Sequence, residues 1–213
     1  MKVLLFNGSS HKEGCTYRAL QEVAASLNDC GIETDILQVG SLPLCGCMDC
    51  GYCKRTVPCD GCAFGKKDGF NDLFAACKEA DGFIFASPVY YASANGTLSS
   101  FMDRLFRCGS SFLAHKPAAA VASARRAGTT VTLDQINKYF TINQMPVVSS
   151  TYWNMVHGGN NNPADVEQDL EGLQTMRNLG RNMAWLLKCI EAGKQAGIEP
   201  PQAERQATTS FIR

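Results

Sequence analysis

Short solid runs of apolar residues alternate along this chain with longer stretches in which apolar residues recur every three or four positions. The runs Lys2–Phe6, Gly82–Ser87, Pro117–Ser123 and Pro146–Ser149, with the more polar Glu33–Val39, read as five strands. Between them, Cys15–Asn28 places Leu20, Val23, Ala24 and Leu27 on one helical stripe. Asp68–Lys78, Asn95–Arg107 and Thr129–Phe140 read as further helices. A last long helix opens at Asn162-Pro163-Ala164-Asp165, with an Asn cap, a proline at the first helical position and an acid in the first turn. It continues through Val166, Leu170, Leu173, Met176, Met183, Leu187 and Ile190. Pro200-Pro201 ends any helix.

Strand and helix in strict alternation predict an α/β fold, a doubly wound five-stranded parallel sheet with helices on both faces. Five strands suit the flavodoxin-like order 2-1-3-4-5, in which a ligand crevice lies between strands one and three. With no internal repeat or low-complexity block, residues 1–195 are expected to form one domain and 196–213 a tail. The segment from Pro43 to Lys67 fits neither periodicity, and a long irregular connection inside a compact domain is usually functional.

Composition narrows the possibilities. Lys plus Arg and Asp plus Glu both number 20, so nothing in the charge favours nucleic acid or an acidic membrane as partner. Met1–Phe6 is too short an apolar run for a signal peptide, and no stretch reaches transmembrane length; a cytoplasmic location is expected. The cysteines number eleven, an odd count without an export signal, which argues against a disulfide framework. Six of the eleven (Cys45, Cys47, Cys50, Cys53, Cys59 and Cys62) fall in the irregular loop. Most of the others, among them Cys108, are expected to be small buried hydrophobes.

Three loops carry candidate chemistry. After the first strand, Asn7-Gly8-Ser9-Ser10-His11-Lys12-Glu13-Gly14-Cys15-Thr16 runs into a helix. Its small residues let the backbone curl, the hydroxyls of Ser9, Ser10 and Thr16 can donate, and the helix N-terminus supplies free N–H groups; the alternative is an ordinary turn with a Ser cap. It lacks both the P-loop pattern and GxGxxG, so a terminal monophosphate fits better than a triphosphate or a dinucleotide bridge. After the third strand, Pro88-Val89-Tyr90-Tyr91-Ala92-Ser93 sets aromatics at the sheet rim, where a stacked planar ring would cover them. After the fourth, Ser123-Ala124-Arg125-Arg126-Ala127-Gly128 offers arginines that could stabilise an anionic reduced cofactor, or could simply be solvated.

These loops resemble a known family. Gly8-Ser9-Ser10 with Gly14 and Thr16, then Ser87-Pro88-Val89-Tyr90, then Phe101-Met102-Asp103-Arg104 look like the NADPH-dependent FMN reductase superfamily. The likeness covers roughly residues 1–150, and within the superfamily the cysteine loop is similar to that of the iron–sulfur flavoproteins. The resemblance implies FMN as prosthetic group, with its phosphate on Ser9–Thr16, including Ser10 and His11. It implies a flavin ring against Pro88, Val89, Tyr90, Tyr91 and Ser93, with Ser123, Arg125, Arg126 and Gly128 beside it. It also implies NAD(P)H or ferredoxin as electron donor and a homodimer or homotetramer. The family commonly has Arg in place of His11 and Asn in place of Cys15.

Cys47-x2-Cys50-x2-Cys53-x5-Cys59 shares its first spacings with the ferredoxin run C-x2-C-x2-C-x3-C and lengthens the last. The iron–sulfur flavoproteins resemble it more closely, since their fourth cysteine sits farther off. The expected ligands of a [4Fe-4S] cluster are therefore Cys47, Cys50, Cys53 and Cys59, with Cys45 and Cys62 as spectators. Zinc is a rival, but Cys50-x2-Cys53 and Cys59-x2-Cys62 are only five residues apart, against roughly 15–20 in a zinc ribbon. A relic loop without metal is another. The function expected is an FMN-dependent oxidoreductase passing electrons between flavin and cluster. The alternatives are a cluster-free NAD(P)H-dependent FMN or quinone reductase, or a non-catalytic carrier serving a ferredoxin.

Overall fold

The computed structural model describes residues 1–204 and 206–211; of the predicted tail, Arg205, Ile212 and Arg213 lie outside the described residues. Five parallel strands form one sheet in the order β2-β1-β3-β4-β5. They are β1 (Lys2–Asn7), β2 (Glu33–Gln38), β3 (Gly82–Pro88), β4 (Ala118–Ala124) and β5 (Met155–His157). The helices are α1 (Cys15–Asp29), α2 (Tyr52–Arg55), α3 (Gly65–Asp68), α4 (Phe70–Glu79), α5 (Gly96–Leu113), α6 (Thr129–Ile142), α7 (Pro163–Glu167) and α8 (Leu170–Gln195). No described helix is long and apolar enough to cross a membrane.

Period-two alternation gives the sheet two chemically different faces. Leu4, Phe6, Phe83 and Phe85 point one way, into a cluster with Phe70, Phe74, Phe101, Phe106 and Phe140. Val3, Leu5, Ile84 and Val121 point the other way, into an aliphatic layer beneath α1 and α8. On β4 the aromatic-facing residues are all alanines, Ala118, Ala120 and Ala122, which leaves volume for the neighbouring rings. Phe85 meets Phe6, Phe106 and Phe140 at ring-centroid distances of 4.8, 5.9 and 5.4 Å. Against the aliphatic face α1 packs on α8, where the Ser26 hydroxyl donates to the Arg177 carbonyl at 2.7 Å.

Four predicted elements need correction. Pro146–Ser149 is not the fifth strand: only Val147 bridges to Ala118, and the chain leaves the sheet before returning as Met155–His157 beside Ala122–Ala124. The intervening turn is held by side-chain bonds, including Asn154 Nδ2 to the Val148 carbonyl at 3.4 Å. The last helix is two helices, because Asp169 caps α8. One of its oxygens accepts from Gly172 N at 2.9 Å and the other from His157 N at 2.7 Å, bonds that compete with an unbroken helix. Similarly, Gly69, at φ 78°, separates α3 from α4 inside the predicted Asp68–Lys78 helix. α5 also runs past Arg107 to Leu113, which carries Cys108 along its inner side.

Phe85→Ala should cost about 3–5 kcal/mol, since the packed rings around it can collapse only in part. Urea denaturation checks this, and the expected signature is a lower midpoint at unchanged slope.

Candidate cofactor site and cysteine cavity

Parallel pairing sends every loop that leaves the carboxyl end of a strand to the same sheet edge, and there the loops after β1, β3, β4 and β5 meet around a cavity of about 160 Å³. Of the predicted residues, Ser9, Thr16, Pro88, Val89, Tyr90, Ser123 and Arg125 line it. The loop after β1 is shaped from beneath by Asn7, a buried side chain at the strand's end. Its Nδ2 donates to the Lys12 carbonyl at 3.2 Å and to Gln38 Oε1 at 2.7 Å, while its Oδ1 accepts from Ser9 N at 3.1 Å. The Ser9 hydroxyl in turn accepts from His11 N at 3.1 Å. The curl delivers the chain to α1 at Gly14, where no side chain caps the helix and its first turn has no acidic residue. Backbone N–H groups and the positive end of the helix dipole are thereby directed at the cavity, as an anion requires.

The opposite wall is tied to the first by the sheet. Val89 N donates to the Ser123 carbonyl at 2.9 Å, and Tyr90 and Ser93 exchange two backbone bonds of 2.9 Å. Tyr91 and Ala92 form the tip of that tight turn at φ 50° and 56°, a left-handed backbone that residues with side chains adopt at a cost. Gly128 makes the approach of this turn feasible. Its φ is 93°, and a Cβ there would lie 2.9 Å from Val89 Cγ1 and 3.0 Å from Ala92 Cα.

Other predicted residues lie outside the cavity lining. Ser10 and His11 are exposed and face each other, Ser10 Oγ to His11 Nδ1 at 3.3 Å. Tyr91 is fully exposed, Arg126 is exposed, and the Ser93 hydroxyl donates to Gln135 Oε1 at 2.9 Å. The fourth wall, Gly158-Gly159-Asn160-Asn161, was missed by sequence reasoning. Its Gly-Asn run was legible as a loop, but placing the fifth strand at Pro146–Ser149 kept it away from the sheet edge. Asn160 and Asn161 stand at φ 51° and 56°, conformations that Asn tolerates. Cys15, buried at the start of α1, pins this wall by donating its thiol to the Asn162 carbonyl at 3.3 Å. Burial, then the nearby Asp165 carboxylate, raises the Cys15 pKa, so the thiol keeps the proton it donates.

The cysteine loop lies elsewhere, over the aromatic face and against α5. Its anchor is Arg104, 1 % exposed, whose Nη1 and Nη2 reach the two Asp68 oxygens at 2.5 and 3.2 Å. Nη1 also donates to the Cys45 carbonyl at 3.2 Å, and the guanidinium lies 4.2 Å from the centroid of the Phe70 ring. Burial alone would raise the Asp68 pKa, but hydrogen bonds from Arg104 and from the Phe70 amide hold it below the usual carboxylate value. The stabilisation from this lowered pKa is complete above roughly pH 4, the unfolded value, and is lost as the pH falls through the folded value.

Cys47, Cys50, Cys53, Cys62 and Cys108 line one small cavity of about 20 Å³ together with Arg104 and Arg107. Cys59 opens instead onto an adjoining groove, shared with Cys53 and Cys108. Cys108 is thus buried, as expected, but it is a member of the thiol group rather than a distant core residue; burial and then the thiols of Cys53 and Cys59 raise its pKa. Cys45 lines neither cavity nor groove; its thiol donates to Asp68 at 3.6 Å and accepts from Arg104 Nη1 at 3.7 Å. Among the described residues no three Cys, His, Asp or Glu side chains stand at the spacing of a formed metal site. Two observations nonetheless fit a thiophilic group: five cysteine thiols line the cavity, where the Asp49 carboxylate is taken up by Arg107, and the buried Arg104 Nε has no hydrogen-bond partner.

Comparison with known proteins agrees with this geometry. The model of the NADPH-dependent FMN reductase family matches residues 1–160. The chain belongs to that family. This family member is 33 % identical over 197 residues to an iron–sulfur flavoprotein of Methanocaldococcus jannaschii, covering 90 % of this chain and 100 % of that one. It is 28 % identical over 199 residues to an iron–sulfur flavoprotein of Methanosarcina thermophila, covering 91 % and 99 %. A flavodoxin from the domain Archaea superposes with a TM-score of 0.58 at 16 % identity, covering 88 % of this chain and 99 % of that one, which confirms the flavodoxin-like fold.

Two substitutions probe the site. Gly128→Val should weaken binding of added FMN at least about tenfold, because the new side chain has to displace Val89 and the Tyr91 turn; flavin fluorescence titration reads it. Asp68→Asn removes the counter-ion of a buried guanidinium and should destabilise the protein by about 3–5 kcal/mol in denaturant melts.

Proposed function

We propose that this protein is a flavin-dependent oxidoreductase that holds FMN in the edge cavity and an iron–sulfur cluster in the cysteine loop. The observation that carries the reading is the convergence of Ser9 and Thr16, Pro88 to Tyr90, and Ser123 with Arg125 on one cavity at the end of β1, β3 and β4. Thr16, Ser9 and the first amides of α1 suit a terminal phosphate, and Pro88, Val89 and Tyr90 offer an edge for a flat ring. Arg125 supplies positive charge where a reduced, anionic ring would need it. Bound FMN supplies hydride or two-electron chemistry, and a cluster supplies one-electron steps. The residues of the chain orient and shield; no Ser-His-Asp constellation is needed.

The cluster ligands proposed, on spacing, are Cys47, Cys50, Cys53 and Cys59. The curated relatives that carry the name iron–sulfur flavoprotein support this reading over the cluster-free reductase. NAD(P)H or a ferredoxin is the proposed donor. The two cavities share no lining residue. The protein is proposed to form a homo-oligomer in which the cysteine loop of one copy serves the edge cavity of another.

Denatured protein should release FMN, identified by chromatography; FAD, or no flavin, would sink the reading. Protein purified without oxygen should contain iron and sulfide, and Cys47→Ala, Cys50→Ala, Cys53→Ala and Cys59→Ala should each lose iron while Cys45→Ala and Cys62→Ala keep it. Loss on Cys62→Ala with retention on Cys59→Ala would reassign the fourth ligand. Pairing between copies is tested with mixed oligomers of a Cys47→Ala chain and a Ser9→Ala/Thr16→Ala chain. Mixtures should transfer electrons better than either parent, and equal rates would place the pair within one chain.

A further inference from the structure

Arg104 has more contacts than a structural anchor needs, and one fewer than a buried guanidinium requires. Of its donor nitrogens, Nη1 and Nη2 are used on Asp68 and Cys45. Nε is buried and has no partner, although leaving a buried N–H unpaired is costly, the more so on a charged group. The side chain is locked: it is 1 % exposed, forked onto one carboxylate and stacked over Phe70. Its position cannot be relaxed to reach water. It lines the cavity of Cys47, Cys50, Cys53, Cys62 and Cys108, and the Cys62 thiol is close enough to act on its charge. Arg107, the other arginine there, is partly exposed and spends its guanidinium on Asp49.

We propose that Arg104 is a positioning residue for the cysteine cavity, whose Nε–H donates to a sulfur of the group held there and so favours extra negative charge on it. The inference rests on the cluster reading above. Donation to a thiolate or sulfide stabilises the reduced, more negative state over the oxidised one, which raises the reduction potential. The Asp68 carboxylate fixes the fork, Nη1 also reaches the Cys45 sulfur at 3.7 Å, and Nε is the one nitrogen of the guanidinium left without a partner. Arginine suits this position better than lysine, because a planar fork can hold a carboxylate with one edge and present a separate N–H beside it.

The test uses the full chain purified without oxygen, as wild type, Arg104→Lys and Arg104→Gln, with iron content, cluster potential by EPR-monitored titration, and electron-nuclear coupling in protein labelled with 15N-arginine. Wild type should show 15N coupling to the reduced cluster, retained in Arg107→Gln. In both Arg104 variants the reduced-to-oxidised ratio at fixed ambient potential should fall at least about tenfold, or about 59 mV for one electron. If the variants lose iron or fail to fold, the wild-type coupling alone decides: its presence supports the assignment and its absence overturns it. Iron-containing variants with unchanged potential overturn the role of Arg104 and leave the cluster reading standing. Wild-type protein without iron overturns both.

Discussion

Strands that pair in parallel must be joined by crossovers, and crossovers send every loop at the carboxyl end of a strand to the same edge of the sheet. The site of this protein depends on that constraint. Ser9, Pro88, Ser123 and Gly158 are separated by tens of residues in sequence, yet each lies within two residues of the carboxyl end of a strand and so reaches one cavity. The register keeps them level: Asn7 pairs with Ala86, and Pro88 pairs with Ser123. Backbone bonds such as Val89 N to the Ser123 carbonyl then continue the sheet's order into the loops themselves.

The two faces of the sheet divide the labour. The aliphatic face receives α1 and α8, whose packing fixes the helix N-terminus that points at the edge cavity. The phenylalanine face receives α4, α5 and α6, and on α5 it carries the floor of the cysteine loop. A loop with little regular structure of its own cannot bury enough apolar surface to hold a fixed shape. Here a buried ion pair substitutes for that surface. Arg104 reaches from α5 to Asp68 at the end of α3 and to the Cys45 backbone, so both ends of the loop are tied to one side chain. Removing charges from water is costly, and it is tolerated because the guanidinium is nearly filled with acceptors and lies on a ring.

Strained backbone is concentrated around the cofactor edge. Tyr91, Ala92, Asn160, Asn161 and Gly128 all have positive φ, and they flank the cavity on two sides. Only surrounding contacts can hold non-glycine residues there: the Tyr90–Ser93 bridge on one side, and Cys15 gripping the Asn162 carbonyl on the other. Cysteine at that place acts through a short thiol donor on a backbone carbonyl, which joins the start of α1 to the loop after β5.

Much was legible in the sequence because it is a matter of local pattern. Solid apolar runs bounded by turn residues locate β1, β3 and β4. Stripes at helical spacing locate α1, α5 and α6. The order of the strands follows from the alternation itself, since right-handed crossovers leave few alternatives. Ser9 and the run Pro88 to Tyr90 stand at the carboxyl ends of strands visible in the sequence, so their arrival at the sheet edge could be read directly. What tertiary structure decided involves competition between distant groups. Pro146–Ser149 has the composition of a strand, but the edge of β4 pairs with Met155–His157 instead, and that choice brings Gly158 to Asn161 into the site. Asp169 breaks a helix by capping Gly172 N with one oxygen while the other accepts from the distant His157 N. Cys108 reads as an ordinary core residue until α5 sets it against the cysteine loop, and the partners of Arg104, Asp68 and the Cys45 carbonyl, are set only when the fold buries it. Periodicity reports which face of an element is apolar, whereas the partner that covers the face is chosen only when the chain has folded.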